Sequence, residues 1–376
     1  MRLFACDNCD QVVHFDNRQC VRCNHRLGFL PEDLAMHALE PRDDVAWQLV
    51  ARPQRAVRFC ANAALDICNW LTSADDPNPF CIACRHNRLV PNTNTQDGID
   101  RWRRISQAQR HLFYSLLRWH LPHPDREEDP QGGLVFDFLE DVVQNDGNVV
   151  PAMTGHEEGL IAIRAAEADD VTRELARSAM DEPYRTLLGH FRHETGHFIW
   201  NKLVRDRNGF DAFRAVFGDE RQDYAAALQQ HYDHGAPADW QDHFISVYAT
   251  SHPWEDWAET WAHYLHISDT LDTADSCGLS LRPGRKDEPA MALQAAPDNP
   301  AERPFDQIVE RWVSLSYLLN NLNRGLGHAD AYPFVLSAAV IDKLRFVHDT
   351  IAGTGQAPSR TRLFGRRKPA SQRVAA

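Results

Sequence analysis

The chain has 376 residues, 43% hydrophobic and 25% charged, enough for two or three domains with real cores. No run of about 18 apolar residues occurs, so no membrane-spanning helix is expected. The opening "MRLFACDNCD" lacks the basic-then-apolar order of a secretory leader, which predicts a cytoplasmic protein. The formal charge of −13 is uneven: the last twenty residues carry six Lys or Arg and no acid, against 34 basic and 53 acidic residues elsewhere. Residues 353–376 therefore read as a basic, disordered tail on an acidic body.

Eight of the nine cysteines fall in the first 84 residues. Cys6-x2-Cys9 and Cys20-x2-Cys23 are two knuckles, each turning a pair of thiolates toward one ion, and together they complete the tetrahedron that zinc prefers. Cys60-x7-Cys68 and Cys81-x2-Cys84 offer a second set of four, with only one half in the tight form. A mixed site using His86, or buried free thiols, stays open there. Disulfides are not expected in a reducing compartment. Cys277 has no partner in sequence and reads as a plain loop or buried thiol. Residues 1–92 are thus expected to form a zinc-ribbon module with two structural zinc ions, stabilised by metal because so short a stretch buries little apolar surface. The stretch is not strongly basic, which argues against nucleic acid and leaves a protein as the ribbon's expected partner.

From Asp97, "DGIDRWRRISQAQRHLFYSLLRWHL" has helical apolar spacing. "PHPDREEDPQGG" reads as a loop, "LVFDFL" as a short strand, "QNDGN" as a turn, and "GLIAIRAA" as a strand whose free edge would take an extended peptide. Beyond "EADD" the chain turns mainly helical. Asp181-Glu182-Pro183 marks one helix start. Further helices are expected at "FDAFRAVF", "DERQDYAAALQQHY", "DWQDHFISVYA", "WEDWAETWAHYLHI", "PFDQIVERWVSLSYLLNNLNRGLG" and "VLSAAVIDKLRFVHDTIA". Residues 273–302 are the most loop-like interior stretch. The expected fold is α+β and mainly helical, with a small sheet, over 93–352.

The helix starting near Pro183 carries "HETGH". Residues four apart share a helix face, so His193 and His197 can hold one ion while Glu194 reaches a water bound to it, the pattern HExxH. Leu187, Leu188, Phe191, Phe198, Ile199 and Leu203 support the helix independently. Catalytic zinc keeps three protein ligands, and the third is expected from "HPWEDWAETWAHYLH": Glu255 as ligand, with Glu259 one turn on bonding the outer nitrogen of a ligand histidine. The reverse assignment of the two glutamates stays open. The chain reads "FIWNKL" after His197, which excludes the metzincin pattern. No second Glu-x-x-His exists for a di-iron bundle. His190, His263 and His266 read as packed histidines, and His156 as a surface residue or a substrate contact.

Taken together, "CDNC", "CVRC", "RFC", "CNW", "CIAC", "HFRHETGH" and "HPWEDWAETWAHYLH" resemble the bacterial zinc-binding metallopeptidases with an N-terminal zinc ribbon. The wider group is similar to the gluzincins. In members that resemble the catalytic domain of anthrax lethal factor, the metal glutamate opens an E-x-x-A-E run, matched here by Glu255 to Glu259. A tyrosine seven residues before that glutamate faces the reacting carbonyl. The resemblance gives Tyr248 this oxyanion-donating role. It implies a gluzincin-like fold and a zinc metallopeptidase acting on a peptide or protein substrate, with His193, His197 and Glu255 holding one catalytic zinc and Glu194 as general base. The alternative is an inactive adaptor that binds through its ribbon and keeps the body as scaffold; the intact Glu194, Glu255 and Tyr248 weigh against it.

Overall fold

The computed structural model describes residues 1–179, 182, 184–284, 291, 293 and 303–353. The predicted tail beyond Gly353 and the helix-start residues Asp181 and Pro183 lie outside the described residues.

Two short strands, β1 (Phe4–Ala5) and β2 (Val12–Val13), form a hairpin around the first knuckle. An antiparallel five-stranded sheet follows in chain order: β3 (Arg26–Leu30), β4 (Ala35–Pro41), β5 (Trp47–Leu49), β6 (Arg52–Phe59) and β7 (Leu71–Ser73). Next come β8 (Asn87–Leu89) and the long helix α1 (Gln96–Arg118), whose first turn is capped by Thr95 accepting from the Gly98 N–H at 3.1 Å.

α1 closes the ribbon. Phe15, Phe29 and Trp70 pack as an aromatic group, and Tyr114 from α1 joins it with ring centroids 5.6 Å from Phe15 and 6.0 Å from Phe29. One turn earlier on α1, the buried Arg110 reaches back into the ribbon, donating to the Ile67 carbonyl at 2.5 Å and to Asp16 Oδ1 at 2.9 Å. One hydrophobic core runs without a break from Phe4 to Val347, so ribbon and body share an interior.

The body begins with β9 (Val135–Leu139), a hairpin of β10 (Val142–Val143) and β11 (Val149–Val150), then β12 (Gly155–Glu157) and β13 (Leu160–Arg164). A four-stranded sheet runs in the order β12-β13-β9-β8, with β8, β9 and β13 parallel and β12 antiparallel to β13. The expectation that "GLIAIRAA" supplies a free edge is corrected: β13 lies inside the sheet and β12 is the edge. The reason is the turn at Glu158 and Gly159, with φ of 42° and 83°, which folds the chain straight back on itself.

The remaining described elements are helices: α2 (Asp170–Ala179), α3 (Leu187–Trp200), α4 (Phe210–Phe217), α5 (Tyr224–His234), α6 (Pro253–Ser276), α7 (Phe305–Gly325) and α8 (Ala338–Ile351). Among the described residues, an α/β body of eight α-helices and small sheets thus follows the ribbon. Two expectations shift. α3 starts at Leu187, later than expected, where Thr186 caps it by accepting from the Gly189 N–H at 2.9 Å and 184–186 are non-helical. "DWQDHFISVYA" makes only two single turns, Trp240–Asp242 and Tyr248–Thr250. Its polar groups are engaged from outside: the His243 carbonyl accepts from Lys343 Nζ on α8 at 2.7 Å, and the Ser246 hydroxyl donates to Glu259 Oε2. Among the described residues no helix is long and apolar enough to cross a membrane.

Candidate metal centre

α3 and α6 cross at close range because α3 carries glycine at the crossing. A Cβ on Gly196 would sit 3.1 Å from the Ala258 Cα and 3.0 Å from the Trp261 ring. Trp257 Nε1 then donates to the Gly196 carbonyl at 2.8 Å, tying the helices together. α6 is positioned at its start by Pro253 and by His252, whose side chain accepts from the Trp254 N–H at 3.1 Å.

This crossing brings His193, His197 and Glu255 together, with one ligand atom from each within 4.8 Å of the others. His193 Nε2 lies 2.9 Å from Glu255 Oε2, and His197 Nε2 lies 3.3 Å from Glu255 Oε1. On its outer side, His193 Nδ1 donates to Glu259 Oε1 at 2.6 Å, and Ser246 donates to Glu259 Oε2 at 2.7 Å. An imidazole that donates through Nδ1 presents its Nε2 lone pair inward when neutral, straight at a buried carboxylate. Either a proton on His193 or a cation held between the groups relieves that arrangement, and two imidazoles with one carboxylate are the donor set of a zinc site that keeps an open position. Without a cation, burial opposes the His193 charge, but the Glu255 and Glu259 carboxylates drive its pKa well upward.

Glu194 is buried beside the three, 7% exposed. Burial raises its carboxyl above the usual range, while His193 and His197 pull the other way. Tyr248, in the single turn before α6, lies with its ring 5.9 Å from His193, and burial pushes its phenol upward. His156, on the edge strand β12, stacks on His197 at 5.8 Å with the planes 21° apart, and Gly159 N–H donates to its Nε2 at 3.0 Å. It is no isolated surface residue. His190 is turned toward Glu167, 3.6 Å away, and His263 and His266 bond Tyr332 and Arg192, so these three stand apart from the cluster. Tyr224, unanticipated in the sequence, donates to Glu255 Oε1 at 2.8 Å.

In the ribbon, Cys6, Cys9, Cys20 and Cys23 form one group and Cys60, Cys68, Cys81 and Cys84 another. Each first-set knuckle ends on a left-handed residue, Asp10 (φ 59°) or Asn24 (φ 60°), whose N–H bonds the carbonyl of Cys6 or Cys20. Sulfur separations of 3.6 Å for Cys6–Cys23 and Cys9–Cys20 and 3.8 Å for Cys68–Cys81 are far beyond a disulfide. They match the roughly 3.8 Å edge of a tetrahedron with Zn–S bonds of about 2.3 Å. Burial raises the Cys6 thiol to about 12 and drives that of Cys81 well upward, a cost that a divalent cation reverses. His86 stands outside the second group, its ring nitrogens facing the carbonyls of Ile82 and His123 at 2.8 and 3.1 Å. Cys277 is exposed at the end of α6.

Comparison with known proteins agrees with this donor chemistry. The model of a family described as "Putative zinc-binding metallo-peptidase" matches residues 98–350. The chain belongs to that family. A zinc-ribbon domain model matches residues 3–95 and places this metallopeptidase-family body behind a ribbon. Uncharacterized proteins of Mycobacterium bovis and of two strains of Mycobacterium tuberculosis are each 42% identical over 352 residues, covering 93% of this chain and 95% of theirs. No solved structure matches it.

Proposed function

We propose that this protein is a zinc-dependent metallopeptidase of gluzincin-like fold. In this reading His193, His197 and Glu255 hold one catalytic zinc and the two cysteine groups hold two structural ones. The observation that carries it is the convergence of both HExxH imidazoles on the buried Glu255 carboxylate, with His193 braced from behind by Glu259.

When bound, zinc acidifies a water and polarises the scissile carbonyl. Glu194 accepts the proton of the attacking water and passes it to the leaving amine nitrogen, a task its raised carboxyl pKa suits. Tyr248, neutral and held beside His193, donates to the oxygen that gains charge as the carbonyl is attacked. Glu259 keeps the Nδ1 tautomer of His193 fixed. The edge strand β12 runs past His197 through His156, so an extended substrate segment pairs with β12, not with β13.

The test is metal content per chain in protein purified without added metal, for the wild type and for His193→Ala/His197→Ala. About three zinc ions falling to about two is expected. Two in both proteins would put the adaptor reading ahead. Glu194→Gln should keep its metal and lose turnover about 100-fold or more; full activity in that variant would remove the mechanism.

A further inference from the structure

α5 has no buried residue, yet its first side chain reaches the deepest carboxylate of the site. Tyr224 donates to Glu255 Oε1 at 2.8 Å, and Glu255 is 1% exposed. The helix start is fixed on three sides. Asp223 caps it, accepting from Ala226 N–H at 3.0 Å. The Tyr224 ring lies edge-on to His252 at 5.2 Å and to Trp254 at 6.1 Å. His252 Nε2 in turn meets the Gln222 carbonyl at 3.3 Å. The phenol is therefore delivered to Glu255 by the same residues that begin α6.

We propose that Tyr224 is a positioning residue of the metal centre, fixing the Glu255 carboxylate as Glu259 fixes His193. A carboxylate on a flexible side chain rotates unless its second oxygen is engaged, and an ion held through it gains or loses affinity with that orientation. Tyr224 engages Oε1, while Oε2 faces His193 Nε2. His197 has no such support: its Nδ1 is buried without a partner among the described residues. Two of the three prospective ligands are thus braced by side chains, one from α6 and one from α5. The inference rests on the metallopeptidase reading.

Tyr224→Phe tests it on the full-length, zinc-loaded chain, keeping the ring and removing only the donor. Zinc affinity is read by competition with a chromophoric chelator, and the two cysteine-held ions of the same chain serve as an internal control. The expected result is a third zinc bound about tenfold or more weakly, with the other two unchanged. A purely packing role would leave affinity unmoved, so a third ion held as tightly as in the wild type overturns the assignment of Tyr224. A wild type that binds only two ions overturns instead the reading beneath it.

Discussion

Glu259 and His193 share a 2.6 Å hydrogen bond from the imidazole Nδ1 to the carboxylate Oε1, and Ser246 occupies the other oxygen. With both oxygens committed, Glu259 is placed in the proposed site to support His193 rather than to bind the ion itself. Glu255→Ala should abolish the third ion, whereas Glu259→Gln should keep it at about 10- to 100-fold lower affinity. Zinc stoichiometry with chelator competition separates the two. Equal loss in both variants would return Glu259 to the ligand set.

Gly196→Ala places a methyl against the backbone of Ala258, which cannot move without displacing α6. The variant should lose on the order of 1–3 kcal/mol of stability and bind the third ion poorly, because Glu255 rides on the displaced helix. Thermal unfolding together with metal analysis checks it, and an unchanged melting temperature would show that the crossing tolerates the methyl.

Removing residues 1–92 uncovers Tyr114 and leaves the Arg110 guanidinium without Asp16 and the Ile67 carbonyl. A large aromatic surface opened to water is costly. A chain of residues 93–352 should therefore be aggregated or far less stable than the whole, as judged by soluble yield and calorimetry. A soluble fragment with the parent's melting temperature would show the ribbon to be dispensable for folding.

His263 is buried against Phe334, its Nδ1 2.8 Å from Tyr332 Oη, and burial lowers its pKa to about 4. The unfolded chain, with a histidine pKa near 6.5, takes up the proton first, so stability is complete above about pH 6.5 and falls as the pH drops toward about 4. One such group accounts for a few kcal/mol, roughly, across that window. His263→Phe should flatten the acid side of the stability profile relative to wild type, measured by denaturant unfolding at each pH; parallel profiles would mean His263 does not titrate in this range.

The residues that the fold gathers into candidate metal clusters were legible because ligand chemistry leaves short, rigid spacings: two CxxC knuckles, HExxH, and Glu255 beside a helix-starting proline. What escaped was set by tertiary partners. Tyr224 lies 31 residues before Glu255 and carries no periodic signal, and only the fold brings its phenol to the carboxylate. Arg110 sits in a helix crowded with basic residues, where nothing local marks the one that turns inward. β12 is three residues of Gly, His and Glu, too short and polar for alternation to show, so the longer apolar β13 drew the edge assignment. The ladder of Trp240 to Tyr248 looked helical until Lys343 and Glu259 took its polar groups.

The ribbon's aromatic wall is finished by Tyr114, which follows every ribbon cysteine in the chain. A nascent chain therefore presents all eight ribbon cysteines before the helix that completes the ribbon's aromatic core has been made. Until α1 docks, the aromatic core of the ribbon lacks one wall, so the ribbon's full packing is completed by a segment made after it.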